Sequence, residues 1–346
     1  MLANILIPDT WVSISERRNL AKPPTFSMKK LLSGEFFEGY EKYFLDQFVS
    51  RDRLRGFAAL VRSNIFGQRD NKGIYRVKDG IYKMEYPLNE GAVLHAANKF
   101  NEIYDRYFQG RDVYYSVIPD KNYFMADKRG YLSLDYNLLL GILDDNLQHM
   151  NYIDIFRQLG LKDYYRTDIH WDQNKIEHIA DTLLKEMGGD PHMGDVQYNR
   201  RSLYPFYGSY YGQAVLKPKP DTLIYLSDEL IEDAVVYDHI DKTYNRIYVE
   251  DRFGSIDSYD LFLSGPKSML TITNPEATVD KELIIFRDSF GSSIAPLMLK
   301  GYSRITLIDL RYLRSDLMEN YMDIPQDPDV LFLYNTAILN NSYMFK

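Results

Sequence analysis

The run Leu283-Ile-Ile-Phe286, followed by Arg287-Asp-Ser-Phe-Gly291 and then Ser292-Ser-Ile-Ala-Pro-Leu-Met-Leu-Lys300, decides the fold class. Four apolar residues without polar alternation mark a strand buried on both faces, as in a parallel sheet covered by helices. The apolar run beyond the small-residue turn reads as the helix that follows such a strand. Ser289 sits in that turn, exposed above the strand end, where the N–H groups of a helix start can receive an oxyanion. Taken alone, the turn has an equally good structural explanation, in which Asp288 and Ser289 only cap the helix.

Outward from this stretch the same alternation repeats. Downstream, Ile305-Thr-Leu-Ile-Asp309 and Val330-Leu-Phe-Leu-Tyr334 are further buried-strand patterns. Upstream, Leu94, Ala97, Phe100, Ile103, Tyr104 and Tyr107 recur at helical spacing within 92–108, 112–118 reads as a strand, 134–150 as a helix and 152–156 as another strand. The expectation is an α/β fold built on a parallel sheet. Ligands of such sheets gather at the carboxyl ends of the strands. Asp120, Lys121 and Asn122, just past the 112–118 strand, are therefore candidate substrate contacts, although a polar turn of this composition needs no function. Between about 195 and 274 the pattern changes to short alternating runs at 222–226, 234–237 and 246–250, separated by Pro-, Gly- and Asp-rich turns. This predicts a β-rich insertion that includes Tyr204, Tyr207, Tyr210 and Tyr211, and that either covers the site or extends the core sheet. Ahead of the core, 9–34 reads as an extended lead-in. Residues 35–48 and 51–66 read as two helices broken at Val49-Ser50, and 73–84 as a hairpin turning at Asp79-Gly80 that decorates the sheet edge. The division expected is a lead-in and hairpin over 1–85 and a catalytic unit over 86–346.

A second chemical piece lies about 120 residues before Ser289, in Tyr164-Tyr-Arg-Thr-Asp-Ile-His-Trp171. Asp172 is a good N-cap for a helix carrying Ile176, Ile179, Ala180, Leu183, Leu184 and Met187, stopped at Gly188-Gly189. His170 thus lies in the loop that feeds a helix. Residues two apart in an extended loop point the same way, so Asp168 can bond Nδ1 of His170 and leave Nε2 free as a base. A lone Asp-x-His more often caps or packs than catalyses. With Ser289 it makes a candidate Asp168/His170/Ser289 triad.

Composition narrows the function classes. The chain has 346 residues, 45% of them apolar, enough for one large domain or two. A net charge of −8 argues against a nucleic-acid partner and against a polybasic membrane patch. There is no cysteine, hence no disulfide and no thiolate chemistry, and the six histidines never cluster at metal-ligand spacing. His178, two turns into the helix after His170, reads as a surface residue. The thirty tyrosines suit sugar stacking, but most fit ordinary half-buried strand positions. No segment has the length of a membrane-spanning helix, and Met1-Leu-Ala-Asn-Ile-Leu-Ile-Pro8 is too short and uncharged for a complete signal peptide.

The strand–Asp-Ser–helix layout resembles the Gly-Asp-Ser block of the SGNH hydrolases, with Arg287 in place of the glycine. More closely, Tyr165-Arg-Thr-Asp-Ile-His-Trp171 resembles the signature of the bacterial DHHW family, which is similar to the alginate O-acetylation proteins AlgJ and AlgX. Further segments that look like that family are Leu32-Ser-Gly-Glu35, Pro119-Asp-Lys-Asn-Tyr123, Gly208-Ser-Tyr-Tyr211, Lys217-Pro-Lys-Pro-Asp221, Ile308-Asp-Leu-Arg-Tyr312 and Val330-Leu-Phe-Leu-Tyr334. The family's first histidine is Ile169 here, while Asp168 and His170 are kept. The Asp/His pair precedes the serine, the reverse of the SGNH order, so the fold implied is a circularly permuted SGNH-like α/β domain.

The resemblance implies an extracytoplasmic serine O-acyltransferase that O-acetylates a cell-surface polysaccharide, with no cofactor, and with a membrane-bound O-acyltransferase as partner supplying the acyl group. It also implies an N-terminal apolar segment ahead of this chain, so the expectation is a trimmed ectodomain. The oxyanion donors expected are the N–H of Ser289, the neighbouring Gly291 and Asn335, which stands where SGNH enzymes place an asparagine. Arg311 is a candidate for an anionic or acyl substrate, unless it only bridges Asp309 or Asp288. Tyr165 and Arg166 join Lys121 and Asn122 as substrate-binding candidates. A carbohydrate O-acetylesterase with the same triad and a non-catalytic polysaccharide-binding protein remain open at this stage.

Overall fold

The computed structural model describes residues 8–13, 18–64, 70–189, 196–213, 218–277 and 280–346. Met1 to Ile7, the expected helical end at 65–66 and the start of the insertion at 195 lie outside the described residues. In chain order the strands are β1 (Val12–Ser13), β2 (Arg18–Asn19), β3 (Ile74–Val77), β4 (Gly80–Lys83), β5 (Val113–Ile118), β6 (Asn151–Tyr152) and β7 (Asn199–Phe206). They continue with β8 (Asp221–Ser227), β9 (Val235–Asp238), β10 (Thr243–Asn245), β11 (Met269–Thr273), β12 (Glu282–Arg287), β13 (Arg304–Ile308) and β14 (Asp329–Asn335). Eight of these form one sheet in the order β10-β9-β11-β13-β12-β14-β5-β6. The pairings β13–β12, β12–β14, β14–β5 and β5–β6 are parallel, whereas β11, β9 and β10 add an antiparallel flank on the β13 side. The α/β class expected from the buried apolar runs is the one observed.

Alternation along the buried strands feeds two core layers. Leu283, Ile285, Leu331, Leu333, Ile305 and Leu307 face one layer with the helices Glu177–Glu186 and Gly291–Met298. Ile284, Phe286, Val330, Phe332 and Ile308 face the other, with the helices Glu90–Ile103 and Tyr136–Asn146. Helices on both faces explain why these strands carry no polar alternation. In the helix Glu90–Ile103, Asn89 caps the start by accepting from the N–H of Ala92 at 3.1 Å, and Val93, Ala96, Ala97, Phe100 and Ile103 form the buried stripe. Leu94, expected on that stripe, is exposed instead. Residues 104–108 continue as one wider helical turn.

Where connections leave adjacent strands for opposite faces, a crevice opens at the carboxyl ends. The chain runs from β12 through the helix Gly291–Met298 to β13 on one side, while β14, on the other side of β12, runs into the short helix Thr336–Leu339 against the opposite layer. Ser289 lies at that point.

Several expectations are corrected. The 152–156 strand is only the two-residue β6, after which Ile153 N–H still bonds Tyr115 O at 2.9 Å. The 9–34 lead-in contains β1, β2 and a helix over Met28–Ser33 capped by Ser27. The hairpin pairs Val77 with Gly80, so its turn is Lys78-Asp79, one residue earlier, with Lys78 at φ 52°. It stands apart from the large sheet and packs on the Asp168 loop, with Ile81 N–H donating to Arg166 O at 2.8 Å. Residues 246–250 are loop with a single bridge from Tyr248 to Phe262. Of the β-rich stretch, β9, β10 and β11 extend the core sheet, whereas β7 and β8 form a separate ribbon.

Candidate active site

The turn after β12 is built around Asp288. Its Oδ1 accepts from the N–H of Phe290 at 2.9 Å and its Oδ2 from the N–H of Asn335 at 2.7 Å, which fastens the turn to the end of β14. Burial pushes the Asp288 carboxyl up, and the nearby Arg311 charge opposes this. Gly291 has a steric role, because a Cβ there would meet Cβ of Arg287 at 2.7 Å. Its N–H is spent on Asp288 O at 3.2 Å. Ser289 is half-buried between neighbours that are fully buried, so its hydroxyl is the polar group the turn presents.

The loop bearing Asp168 and His170 is held from several sides. Lys121 is buried and donates from Nζ to three carbonyls, those of Ile81 at 2.8 Å, Arg166 at 3.0 Å and Asp168 at 2.9 Å. Burial pulls its pKa down to about 7, with the carboxylates of Asp168 and Asp221 pulling it back up. Asp221, at the start of β8, accepts from the N–H and hydroxyl of Thr167, both at 2.7 Å, and from Arg166 Nε at 2.9 Å. Gly208 lies so close that a Cβ would fall 2.3 Å from the carbonyl carbon of Thr167, and Ser209 N–H donates to Asp168 Oδ1 at 2.5 Å. Ile169, where the family pattern has histidine, packs with Ile74, Ile81 and Tyr210, so a hydrophobic side chain suits the position.

These supports bring the three predicted residues together. His170 Nδ1 lies 2.6 Å from Asp168 Oδ2, and His170 Nε2 lies 2.7 Å from Ser289 Oγ. An ionised carboxylate only accepts, so Nδ1 carries the proton and Nε2 accepts from the serine hydroxyl. Asp168 is fully buried and His170 nearly so. The imidazole stacks on the ring of Tyr259, with centroids 3.7 Å apart and planes 5° from parallel, and Phe290 closes its other side at 4.9 Å. Tyr259 is fixed in turn, because its hydroxyl donates to Ser293 Oγ at 2.8 Å, an oxygen that also accepts from Trp171 Nε1 at 2.8 Å. The imidazole therefore has one orientation, in line between carboxylate and hydroxyl.

Other sequence candidates have different roles. Lys121 and Asn122 do not reach the hydroxyl, since Asn122 accepts from Tyr75 at 2.8 Å and donates to Leu132 O at 2.9 Å. Asp120 is buried among Tyr136, Thr336 and its own turn. Asn335 caps the final short helix through Ala337 N–H at 2.9 Å and donates to Ile118 O at 3.1 Å, so both ends of its amide serve strand-end contacts. Arg311 forks onto Asp309 at 2.9 and 2.6 Å, the bridging alternative. Tyr165 is buried edge-on to Phe206, and Arg166 is exposed beside Asp221 and Pro220. His178 is exposed, as expected. Tyr210 belongs to the loop's packing, with its N–H on Thr167 O at 3.1 Å, whereas Tyr204 is exposed on β7. Sequence reasoning missed Tyr259 and Ser293 and quoted Ser209 and Asp221 only within family-like segments without a role; all four act through contacts remote in sequence. It also gave no role to Arg287, noted only as replacing a glycine. That residue is buried under the turn with Nε and Nη2 unpartnered among the described residues.

Comparison with known proteins places this architecture. Residues 146–308 match the model of the DHHW protein family. A DHHW family protein from Eubacterium siraeum superposes with a TM-score of 0.60 at 17% identity, covering 78% of this chain and 94% of the other. Bacillus cereus PatB1 does so at 0.61 and 16% identity, covering 77% and 96%. A second PatB1 structure, with a sulfonyl adduct, gives 0.60 at 15% identity over 77% and 95%. The O-acetyltransferase domain of Pseudomonas putida AlgJ superposes more loosely, at 0.45 and 13% identity over 78% and 92%. No curated protein matches the chain in sequence.

Proposed function

We propose that this chain, which matches the DHHW protein family model over residues 146–308, is an extracytoplasmic serine acyltransferase that O-acetylates a cell-surface polysaccharide. The observation that carries the reading is the continuous relay from Asp168 through His170 to Ser289, with both hydrogen bonds under 2.8 Å. Ser289 Oγ attacks the acyl carbonyl carbon while its proton passes to His170 Nε2, and Asp168 stabilises the imidazolium that forms. The donor's leaving oxygen takes that proton as its bond to the acyl carbon breaks. A sugar hydroxyl then gives its proton to Nε2 and attacks the acyl-enzyme, and Ser289 recovers its proton as it leaves. The Ser289 N–H is the oxyanion donor in this scheme, worth about 3–4 kcal/mol in the transition state. The buried Arg287 guanidinium adds positive charge beneath the same turn. The acyl group comes from a membrane-bound O-acyltransferase, and no metal or cofactor takes part.

The test pairs labelling with transfer. Phenylmethylsulfonyl fluoride, chosen because the similar PatB1 is known with a sulfonyl adduct, is expected to label Ser289 and no other residue by peptide mass. Release of nitrophenol from p-nitrophenyl acetate should vanish in Ser289→Ala, and acetyl should appear on an added oligosaccharide. Release without sugar adducts would make the protein an esterase. Equal inertness of wild type and variant toward both reagents would defeat the catalytic reading.

A further inference from the structure

A cavity of about 670 Å³ lies away from the triad, between the β7–β8 ribbon and the antiparallel edge of the sheet. Its walls come from Arg201 and Tyr225 on the ribbon, Tyr244 on the terminal strand β10, and Tyr248 and Glu250 on the loop that follows. The size is that of a small-ligand site.

The chemistry of the lining selects among ligands. Tyr244 is 73% exposed, an unusual position for so large a ring unless something covers it, while Tyr225 and Tyr248 pack on each other in the wall with their hydroxyls bonded to Glu250 and Leu226 O. The charged groups are largely matched. Arg201 pairs with Glu232 at 2.8 Å, the Tyr225 hydroxyl donates to Glu250, and Arg246 and Asp251 add one group of each sign. An anionic ligand would need unbalanced cations and an apolar one a drier wall. Charged donors and acceptors of both signs beside the exposed Tyr244 face fit a neutral polyhydroxylated ring.

The cavity is also joined to the relay. Rings pack in sequence from His170 to Tyr259 at 3.7 Å, Tyr259 to Phe262 at 4.9 Å, Phe262 to Tyr248 at 5.8 Å and Tyr248 to Tyr225 at 4.6 Å. Gln173 ties the same elements, donating to the Tyr248 hydroxyl at 3.0 Å and to Ser293 O at 2.7 Å. The cavity wall and the imidazole support are thus one packed unit.

We propose that this cavity is a non-catalytic saccharide-binding subsite that holds a neutral stretch of a glycan at a distance from Ser289, on the ribbon side of the ring stack that supports His170. It takes from the acyl-transfer reading only that the bound glycan is the acceptor. The experiment titrates the full chain, as wild type, Ser289→Ala, Tyr244→Ala and Arg201→Ala, with cellotetraose, xylotetraose, mannotetraose and tetra-N-acetylchitotetraose by isothermal calorimetry. Hydrolysis of p-nitrophenyl acetate is followed in parallel. At least one tetrasaccharide is expected to bind wild type and Ser289→Ala alike, with affinity at least tenfold weaker in Tyr244→Ala and Arg201→Ala and nitrophenyl acetate turnover unchanged in both. Tyr244 is exposed enough for its loss to leave folding intact, which circular dichroism checks. Binding that survives both cavity substitutions, or no binding by any of the four sugars, overturns the proposal. Sugar binding at Tyr244 without any esterolysis would instead sink the acyl-transfer reading and leave this one standing.

Discussion

Replacing Lys121 by methionine isolates what holds the His170 loop in place. The ammonium reaches the carbonyls of Ile81, Arg166 and Asp168 from a fully buried position, so methionine fills the volume and leaves the Ile81 and Asp168 carbonyls without this donor, while the Arg166 carbonyl keeps the N–H of Ile81. A buried acceptor left unpaired costs about 1–3 kcal/mol, and two of them place the loss at roughly 2 kcal/mol or more. The second signature is in pH. The folded pKa lies near 7, below the 10.5 of a free lysine, with burial as the main cause and Asp168 and Asp221 opposing it. Between those values the unfolded chain binds the proton that the folded chain has released, so stability rises with pH by up to about 1.4 kcal/mol per unit. The carbonyl bonds favour the charged form and reduce this, which leaves roughly 2–4 kcal/mol across the interval. Below pH 7 both states hold the proton and the slope vanishes. Urea unfolding of wild type and Lys121→Met at several pH values from about 6 to 9.5 reads the difference, in which the other titrating groups cancel. Wild type should gain stability relative to the variant as pH rises. Parallel pH dependences would refute the assignment of that buried charge. At neutral pH the variant should also lose turnover with KM little changed, because the carbonyl released is that of Asp168 itself.

Asp168→Asn should keep the fold and lower nitrophenyl acetate turnover by about 10⁴, because the amide stabilises the wrong imidazole tautomer. A steady-state rate within tenfold of wild type would contradict the relay. Gly208→Ala forces a methyl against the Thr167 backbone, and should cost roughly 2–4 kcal/mol in thermal unfolding together with most of the activity. Arg287→Met exchanges a buried guanidinium with two unpartnered nitrogens for an apolar chain of similar length, and should leave stability unchanged or raised by about 1 kcal/mol. Its acylation rate, read from single-turnover kinetics, should fall at least tenfold if that charge faces the oxyanion. A drop in stability with normal acylation would assign Arg287 a purely structural role.

Legibility in the sequence followed the range of the interactions. β12, β13 and β14 were readable because a strand covered on both faces is apolar throughout, and Asp168, His170 and Ser289 because each is a chemical group at a break in a pattern. The supporting residues were not readable. Tyr259 looks like any strand or loop tyrosine until its ring is found against His170, and Lys121 reads as a substrate contact or a plain turn residue until its ammonium is seen among three carbonyls. Asn335 and Arg311 are the converse case, in which the local alternative weighed beside the ligand role is the one seen. Each stands at a strand end where a ligand is expected, yet each meets a local demand, a helix cap and a carboxylate fork. The turn at Lys78-Asp79 shows the smallest-scale miss, since Asp-Gly favours a turn but the Val77–Gly80 pairing set the register.

The chain order of Asp168, His170 and Ser289 is compatible with their meeting because of the sheet. Ser289 rides on the central strand β12, so its place is set by hydrogen bonds to β13 and β14 and by the two core layers. The His170 loop belongs to no strand of the large sheet, and it needs positioning from outside: Lys121 after β5, the β3–β4 hairpin, Gly208-Ser209 after β7 and Asp221 on β8. Each of these anchors comes from a different part of the chain. An aspartate and histidine placed by so many remote contacts can precede or follow the nucleophile, because the geometry they share is fixed by the packed sheet edge. The same logic gives the ribbon β7–β8 its place: it supplies Asp221 to the His170 loop on one side and Arg201 and Tyr225 to the proposed saccharide cavity on the other.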